Sequence, residues 1–300
     1  EKSDGEVGLT DATASVIAVG NTLYAAVKGK GDNTLWFTQS RDGGNSWSNW
    51  TELGTVNSGF ATSTGPSLAF FENELYLGFL NLSGTLSLSS WDPASNNLSA
   101  WSAPTALSDS SNAAAVFSSA YGPQLLDRGD VLGMVWVDTA SGTLKSSGSS
   151  MPDGKAGSWT SPTTVLQRLE ANDGASFVAI SATAAPTATW LGGVPVLAVS
   201  DNGSINVYAG AQSGSSLQLT SSFTAPSGGP AISSAPVLTS TPTGLALTYT
   251  NADGSISLNR LSFVADDGTP LPGVQFNADG SINTSNADLQ WQSTVLNEGN

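Results

Sequence analysis

Apolar residues in this chain fall in short runs of strand length, not at helical spacing. Residues 23–27, 75–80, 131–137, 195–199 and 245–250 are the clearest, and Gly, Asn, Asp, Arg, Glu or Pro breaks the chain on either side. Runs of this kind between turn residues predict β-strands. Another strand begins ahead of each run, near Ala14, Pro66, Pro123, Pro186 and Pro236. Proline is tolerated there, because at the first residue of a strand its missing N–H costs no rung of the ladder. Asn33-Thr34-Leu35, Gly84-Thr85-Leu86, Gly142-Thr143-Leu144, Gly203-Ser204-Ile205 and Gly254-Ser255-Ile256 then open a third strand each. Fourth strands echo one another more loosely, through Trp47-Ser48, Trp101-Ser102, Trp159-Thr160, residues 217–223 and Trp291.

Four-stranded repeats of about 40–50 residues are the signature of propeller blades. The expectation is therefore an all-β fold: one five-bladed β-propeller domain of four-stranded antiparallel blades, spanning residues 1–300. Six blades is the alternative, if residues 265–286, an insertion between the last two strands, hide further strands. Apolar residues in the links between repeats are expected to plug the space between blades. Phe60 and Phe117 stand six residues before the next proline, Phe177 nine before, and Ile232 lies in the fourth link. The insertion carries Asn277, Asp279, Asn286 and Asp288 nearby, oxygens that could hold calcium, but their spacing is not that of an EF-hand. An Asx-rich loop with no cofactor is the expectation.

Composition narrows the chemistry. The formal charge is −15, from 24 acidic and 9 basic residues. That balance argues against nucleic acid and anionic membranes as partners, since both are negatively charged. No apolar run is long enough for a membrane span. The chain has no Cys and no His, which excludes disulfides, thiolate chemistry and His-dependent triads and zinc sites. Catalysis would rest on carboxylates, Tyr, Lys or Ser. The opening Glu1-Lys2-Ser3-Asp4-Gly5-Glu6 lacks signal-peptide features and reads as the cut end of a domain from a longer protein.

One motif is specific. Ser40-Arg41-Asp42-Gly43-Gly44-Asn45-Ser46-Trp47 matches the pattern S-x-D-x-G-x-[ST]-W, in the hairpin between a third and a fourth strand. It resembles the Asp-box (BNR-repeat) propellers, the superfamily that includes sialidases. The resemblance implies a folding device built from Ser40, Asp42, Gly44, Ser46 and Trp47, with the Trp47 ring buried against its blade, on the face opposite the active site. Sialidases hold their substrate carboxylate with three arginines. Only Arg168, of Arg41, Arg128, Arg168 and Arg260, falls on the matching face, so a non-catalytic member is expected. Five-bladed propellers also include arabinanases and xylosidases, which use carboxylates on the innermost strands. Here the first strands offer only Asp127, at the far end of its strand.

What remains is a binding face. Asp138, Asp201, Asn202 and Asp253 recur at the second turns, with Trp136 and Tyr249 at the strand ends before them and Tyr121 just ahead of Gly122-Pro123. Rings beside amides and carboxylates suit sugars. The same turns need Asx and Gly with no ligand at all, and the aligned aromatics serve equally as core between blades. Lys28 and Lys30 on this face are read as solvated charges. The functional expectation is a non-enzymatic carbohydrate-binding or adhesion module of an extracellular or cell-surface protein, with a glycan or surface glycoprotein as partner. A protein-interaction scaffold and a diverged glycoside hydrolase are the alternatives.

Overall fold

The computed structural model describes residues 10–109, 117–150, 159–171, 174–191, 194–213, 216–224, 235–241, 244–251, 255–264 and 288–296. Its sheets are those of an all-β, five-bladed β-propeller. The chain divides into two compact units, Glu1–Ala140 with Ser147–Pro162 and Ser141–Ser146 with Thr163–Asn300. Blade 1 is β1 (Ser15–Val19), β2 (Thr22–Lys28), β3 (Leu35–Ser40) and β4 (Thr51–Glu52). Blade 2 is β5 (Ser67–Phe71), β6 (Glu74–Leu80), β7 (Leu86–Trp91) and β8 (Thr105–Ala106). Blade 3 is β9 (Gln124–Asp127), β10 (Leu132–Val137), β11 (Leu144–Ser149) and β12 (Thr163–Thr164). Strands run antiparallel within each of these blades, in chain order.

The fourth strands of these three blades are only two residues long, and a side-chain clasp does the rest. In blade 1 the Ser48 amide donates to Gln39 O, the Gln39 amide donates to Ser48 Oγ, and Thr38 Oγ1 donates to Ser48 O. Ser89, Ser90 and Ser102 repeat the set in blade 2, and Ser147, Gly148 and Thr160 in blade 3. This is the physical content of the recurring Trp–Ser/Thr pair: the hydroxyl after the tryptophan replaces missing ladder bonds.

Packing between blades in the first unit is aromatic. Phe37 of blade 1 meets Trp101 of blade 2 edge-on at 5.0 Å and Trp91 at 5.5 Å. Phe117 stacks on Trp136 at 5.4 Å in the cluster that joins blades 2 and 3. Such contacts add about 0.5–1.5 kcal/mol each beyond area burial. Phe60 and Phe117 are the expected plugs, both buried. Phe177 is not: it is 50% exposed, and Ile180 is the buried residue. Ile180 stands six residues before Pro186, the same spacing as the other two. Ile232 lies outside the described residues.

The second unit adds an element that the repeat pattern did not predict. A hairpin of β13 (Leu166–Ala171) and β14 (Gly174–Ala179) precedes blade 4. Blade 4 itself is β15 (Thr187–Leu191), β16 (Val194–Asp201), β17 (Ser204–Ser213) and β18 (Ser216–Thr224). β13 pairs in parallel with β18, so this sheet has six strands rather than four. Blade 5 is β19 (Val237–Thr241), β20 (Gly244–Thr250), β21 (Ile256–Val264) and β22 (Asp288–Leu296). The insertion falls between β21 and β22, outside the described residues. Val196, Val207, Leu247 and Leu261 centre the core of this unit.

Candidate functional site

The links after blades 1, 2 and 3 cross the second turns in the same way. The amides of Thr62, Ser119 and Ala182 donate to Asn33 O, Gly84 O and Gly142 O in the turn of the preceding blade. The next amide then donates to the end of the following blade's second strand, Ala120 to Val137 O and Thr183 to Ser200 O. A hydroxyl turn tightens the strap. Thr62 Oγ1 bonds Thr64 O and accepts the Thr64 amide, and Ser119 Oγ does the same at Tyr121. Thr10 and Ala12 form the same turn ahead of β1. Asp11 therefore occupies the middle of blade 1's strap, the place of Ser63 in blade 2 and Ala120 in blade 3.

Register places Lys28 opposite Leu35, as Leu80 stands opposite Leu86 and Thr250 opposite Ile256. Blades 2 to 5 thus put Leu80, Val137, Ser200 and Thr250 where blade 1 has a lysine. That lysine is not a solvated charge. Its side chain is 5% exposed, and Nζ lies 2.7 Å from Asp11 Oδ1. Nζ also donates to Gly29 O at 3.1 Å. Asp11 is the open member of the pair, with its side chain 45% exposed. The hydrogen bond from Lys28 holds the Asp11 carboxyl below the ordinary carboxylate range, with the lysine charge and the Gly31 amide pulling the same way against desolvation. Asp32 packs over Gly29 and accepts the Thr34 amide, capping its own turn.

At the inner edge of the first unit the backbones come very close. A Cβ on Gly65 would lie 2.5 Å from Thr13 O, and one on Gly122 would clash with Gly65 O. The strand starts in blades 2 and 3 are therefore paved with backbone and leave no room for a side chain. Asp127 is exposed at the far end of β9, where Oδ1 accepts the Gly129 amide.

The other sequence candidates separate. Tyr121 is half-buried beside Gly122 on the third strap, and Ser119, two residues before it, pairs with Asp138. Asp201 accepts from Asn202 Nδ2 at 3.0 Å. Asn202 and Gly203 both have positive φ, 48° and 80°, the geometry of a tight two-residue hairpin that favours Asn-Gly. Trp136 is fully buried and Tyr249 is 9% exposed, so both rings belong to core clusters and not to a surface. Their position one or two residues before a turn is also where a blade packs on its neighbour. Asp253 lies outside the described residues. Arg168 sits within β13, in the link between blades 3 and 4. Sequence reasoning missed Asp11, although the departure of position 28 from its four counterparts was there to be read.

On the other side of blade 1, Asp42 accepts from the Ser46 amide, Ser46 Oγ and Ser40 Oγ, and Ser40 Oγ accepts the Gly44 amide. These bonds push the carboxyl down to about 2. Trp47 departs from expectation: its ring is 41% exposed, whereas Trp101 and Trp159, at the matching places, are buried. Near the base of blade 3, burial lowers the Arg128 guanidinium to about 10, with Asp130 opposing the shift. Among the described residues no three acidic side chains gather as metal ligands, and no helix is long and apolar enough to cross a membrane.

No family model and no curated protein sequence matches the chain. Solved structures do. A GH43 endo-arabinanase from Bacillus licheniformis matches at 18% identity and TM-score 0.50, over 88% of this chain and 98% of the other. A GH43_1 enzyme from Xanthomonas citri, complexed with xylotriose, matches at 13% identity and TM-score 0.55, over 87% and 89%. The catalytic domain of a Coprinopsis cinerea GH62 α-L-arabinofuranosidase matches at 14% identity and TM-score 0.50, over 84% and 87%. At such identities the shared property is the fold. These matches overturn the expected sialidase-like, Asp-box membership. The turn at Asp42 is a local hydrogen-bonding device and does not carry that family with it. They also remove the ground for expecting a non-enzyme, because the fold is one on which glycosidic bonds are cut.

Proposed function

We propose that this chain is a diverged glycoside hydrolase that cuts a neutral, pentose-containing polysaccharide at the strap-and-turn face of its first unit. The observation that carries the reading is Asp11, a half-exposed carboxylate held by Lys28 on the strap that leads into the innermost strand of blade 1. Glycoside hydrolysis needs two carboxyl groups, one to activate water or attack the sugar and one to protonate the leaving oxygen. Asp11 suits the first role, and Asp138 on the strap face of blade 3 is the candidate for the second. Tyr121, on the strap that pairs with Asp138 through Ser119, offers a ring face to a sugar. The names of the matched structures, arabinanase, arabinofuranosidase and a xylotriose complex, support a pentose polymer. Polymers of that size do not cross membranes, so the reading goes with an extracellular or surface-exposed setting.

The test is release of reducing ends from arabinan, arabinoxylan and xylan by the purified chain. Wild type should turn over at least one of them. Asp11→Asn and Asp138→Asn should each lose roughly 10²-fold or more, the usual worth of a general acid or base. Saturable binding with no release of reducing ends would falsify the catalytic reading.

A further inference from the structure

We propose that Lys28 is a positioning residue that fixes and keeps ionised the Asp11 carboxylate, a role that rests on the catalytic reading of Asp11. Two departures from the repeat coincide here. Blade 1 puts an acid in the middle of its strap, where blades 2 and 3 have Ser63 and Ala120. It puts a lysine at the end of its second strand, where the other blades have Leu80, Val137, Ser200 and Thr250. In blade 3 these two positions meet through backbone, Ala120 to Val137, and in blade 4 through the Thr183 amide and hydroxyl, both donating to Ser200 O. The fold therefore closes this junction without any charge. Only blade 1 spends a buried lysine on it, and an ammonium with 5% of its side chain exposed is costly to bury. An unneeded and costly charge that contacts one open carboxylate points to chemistry at that carboxylate.

The geometry is that of a support. Nζ is anchored to Gly29 O at 3.1 Å and to Asp11 Oδ1 at 2.7 Å. Oδ1 is thus the oxygen that Lys28 holds. The turn after β2 also carries Lys30 and Asp32. Asp32 Oδ1 is engaged by the Thr34 amide. Lys28 is then the cation that matters to Asp11. With it present, Asp11 stays ionised to lower pH than an ordinary aspartate and remains a competent base there.

Carboxyl-carbon NMR of the full chain, specifically labelled at aspartate, reads Asp11 directly once Asp11→Asn has assigned its signal. In wild type the Asp11 signal should titrate below the ordinary aspartate range. In Lys28→Met its midpoint should move up, and the acidic limb of the pH–activity profile should move up with it. Lys28→Arg keeps the charge and should hold both near wild type, which covers the case in which the methionine variant does not fold. A lower melting temperature in Lys28→Met with an unmoved Asp11 midpoint makes the pair a structural strut and overturns the proposal. So does an Asp11 that titrates normally in wild type. Failure of the wild-type chain to cleave any polymer sinks the catalytic reading by itself and is seen before any variant is made.

Discussion

Blades 1 and 2 share a skeleton and differ at single positions. Both have a five-residue inner strand, a seven-residue second strand, a six-residue third strand and a two-residue fourth. Both close the outer edge with the same hydroxyl clasp, and both carry the Thr-based turn ahead of the inner strand. Among the differences are Asp11 against Ser63, a buried Lys28 against Leu80, an exposed Trp47 against a buried Trp101, and Thr13 against Gly65. A residue that every blade needs tells about the blade. A residue that one blade alone carries, against its own burial cost, tells about what the molecule does with that blade.

That contrast can be broken at the tryptophans. Trp101→Ala should destabilise the chain by about 3–5 kcal/mol, because the ring fills the space against Phe37 and Trp91. Trp47→Ala should cost less than about 1 kcal/mol, in keeping with its exposure. Trp101→Phe sharpens the point. The buried Trp101 Nε1 has no hydrogen-bond partner among the described residues, so the indole N–H adds nothing that phenylalanine lacks. Chemical denaturation of the three variants side by side reads all of this, and equal losses for Trp47→Ala and Trp101→Ala would make the two blades alike after all.

Next in size is the inner edge. Gly65→Ala should cost about 2–3 kcal/mol, because its Cβ meets the backbone of Thr13, which cannot swing aside as a side chain can. The counterpart Thr13→Ala should be close to neutral, and urea midpoints for the two give the comparison. Smallest is Asp42, in the hairpin between the third and fourth strands of blade 1. Its folded carboxyl sits near 2, below an unfolded value of about 3.9. The stabilisation is fully present above the unfolded value and is lost as pH falls through about 2. Asp42→Asn should lower the melting temperature modestly at pH 6 and make little difference below pH 2. A gap that persists at the lowest pH would mean that the charge is not what the turn uses.

Strand order and blade number were readable because period-two runs, prolines at strand starts and Gly-Thr-Leu turns recur with little drift. The inner strands begin within about one residue of Ala14, Pro66, Pro123, Pro186 and Pro236. The hairpin β13–β14 was not readable. Residues 166–171 and 174–179 do not alternate apolar and polar, and nothing in the other links resembles them. Phe177 misled because residue type was weighed above spacing, and the six-residue interval picks Ile180. The site was less legible than the fold. Trp136 and Tyr249 stand where both a ligand and a neighbouring blade want a ring, and only packing decides between them. Lys28 looked solvated because a lysine usually is; its partner Asp11 is 17 residues away and falls before the first recognisable strand.

The clasps along blades 1 to 3 have a further consequence. The third strand of each blade spends its outward amide and carbonyl on a serine or threonine of its own chain. A sheet edge left open is a template on which another molecule can add a strand, and chains guard against this with charge, proline or very short strands. Here the guard is a hydroxyl. The rim of the first unit thus presents the outside world with side chains rather than an unfinished ladder, which favours a protein that stays unaggregated when crowded against polysaccharide or against copies of itself.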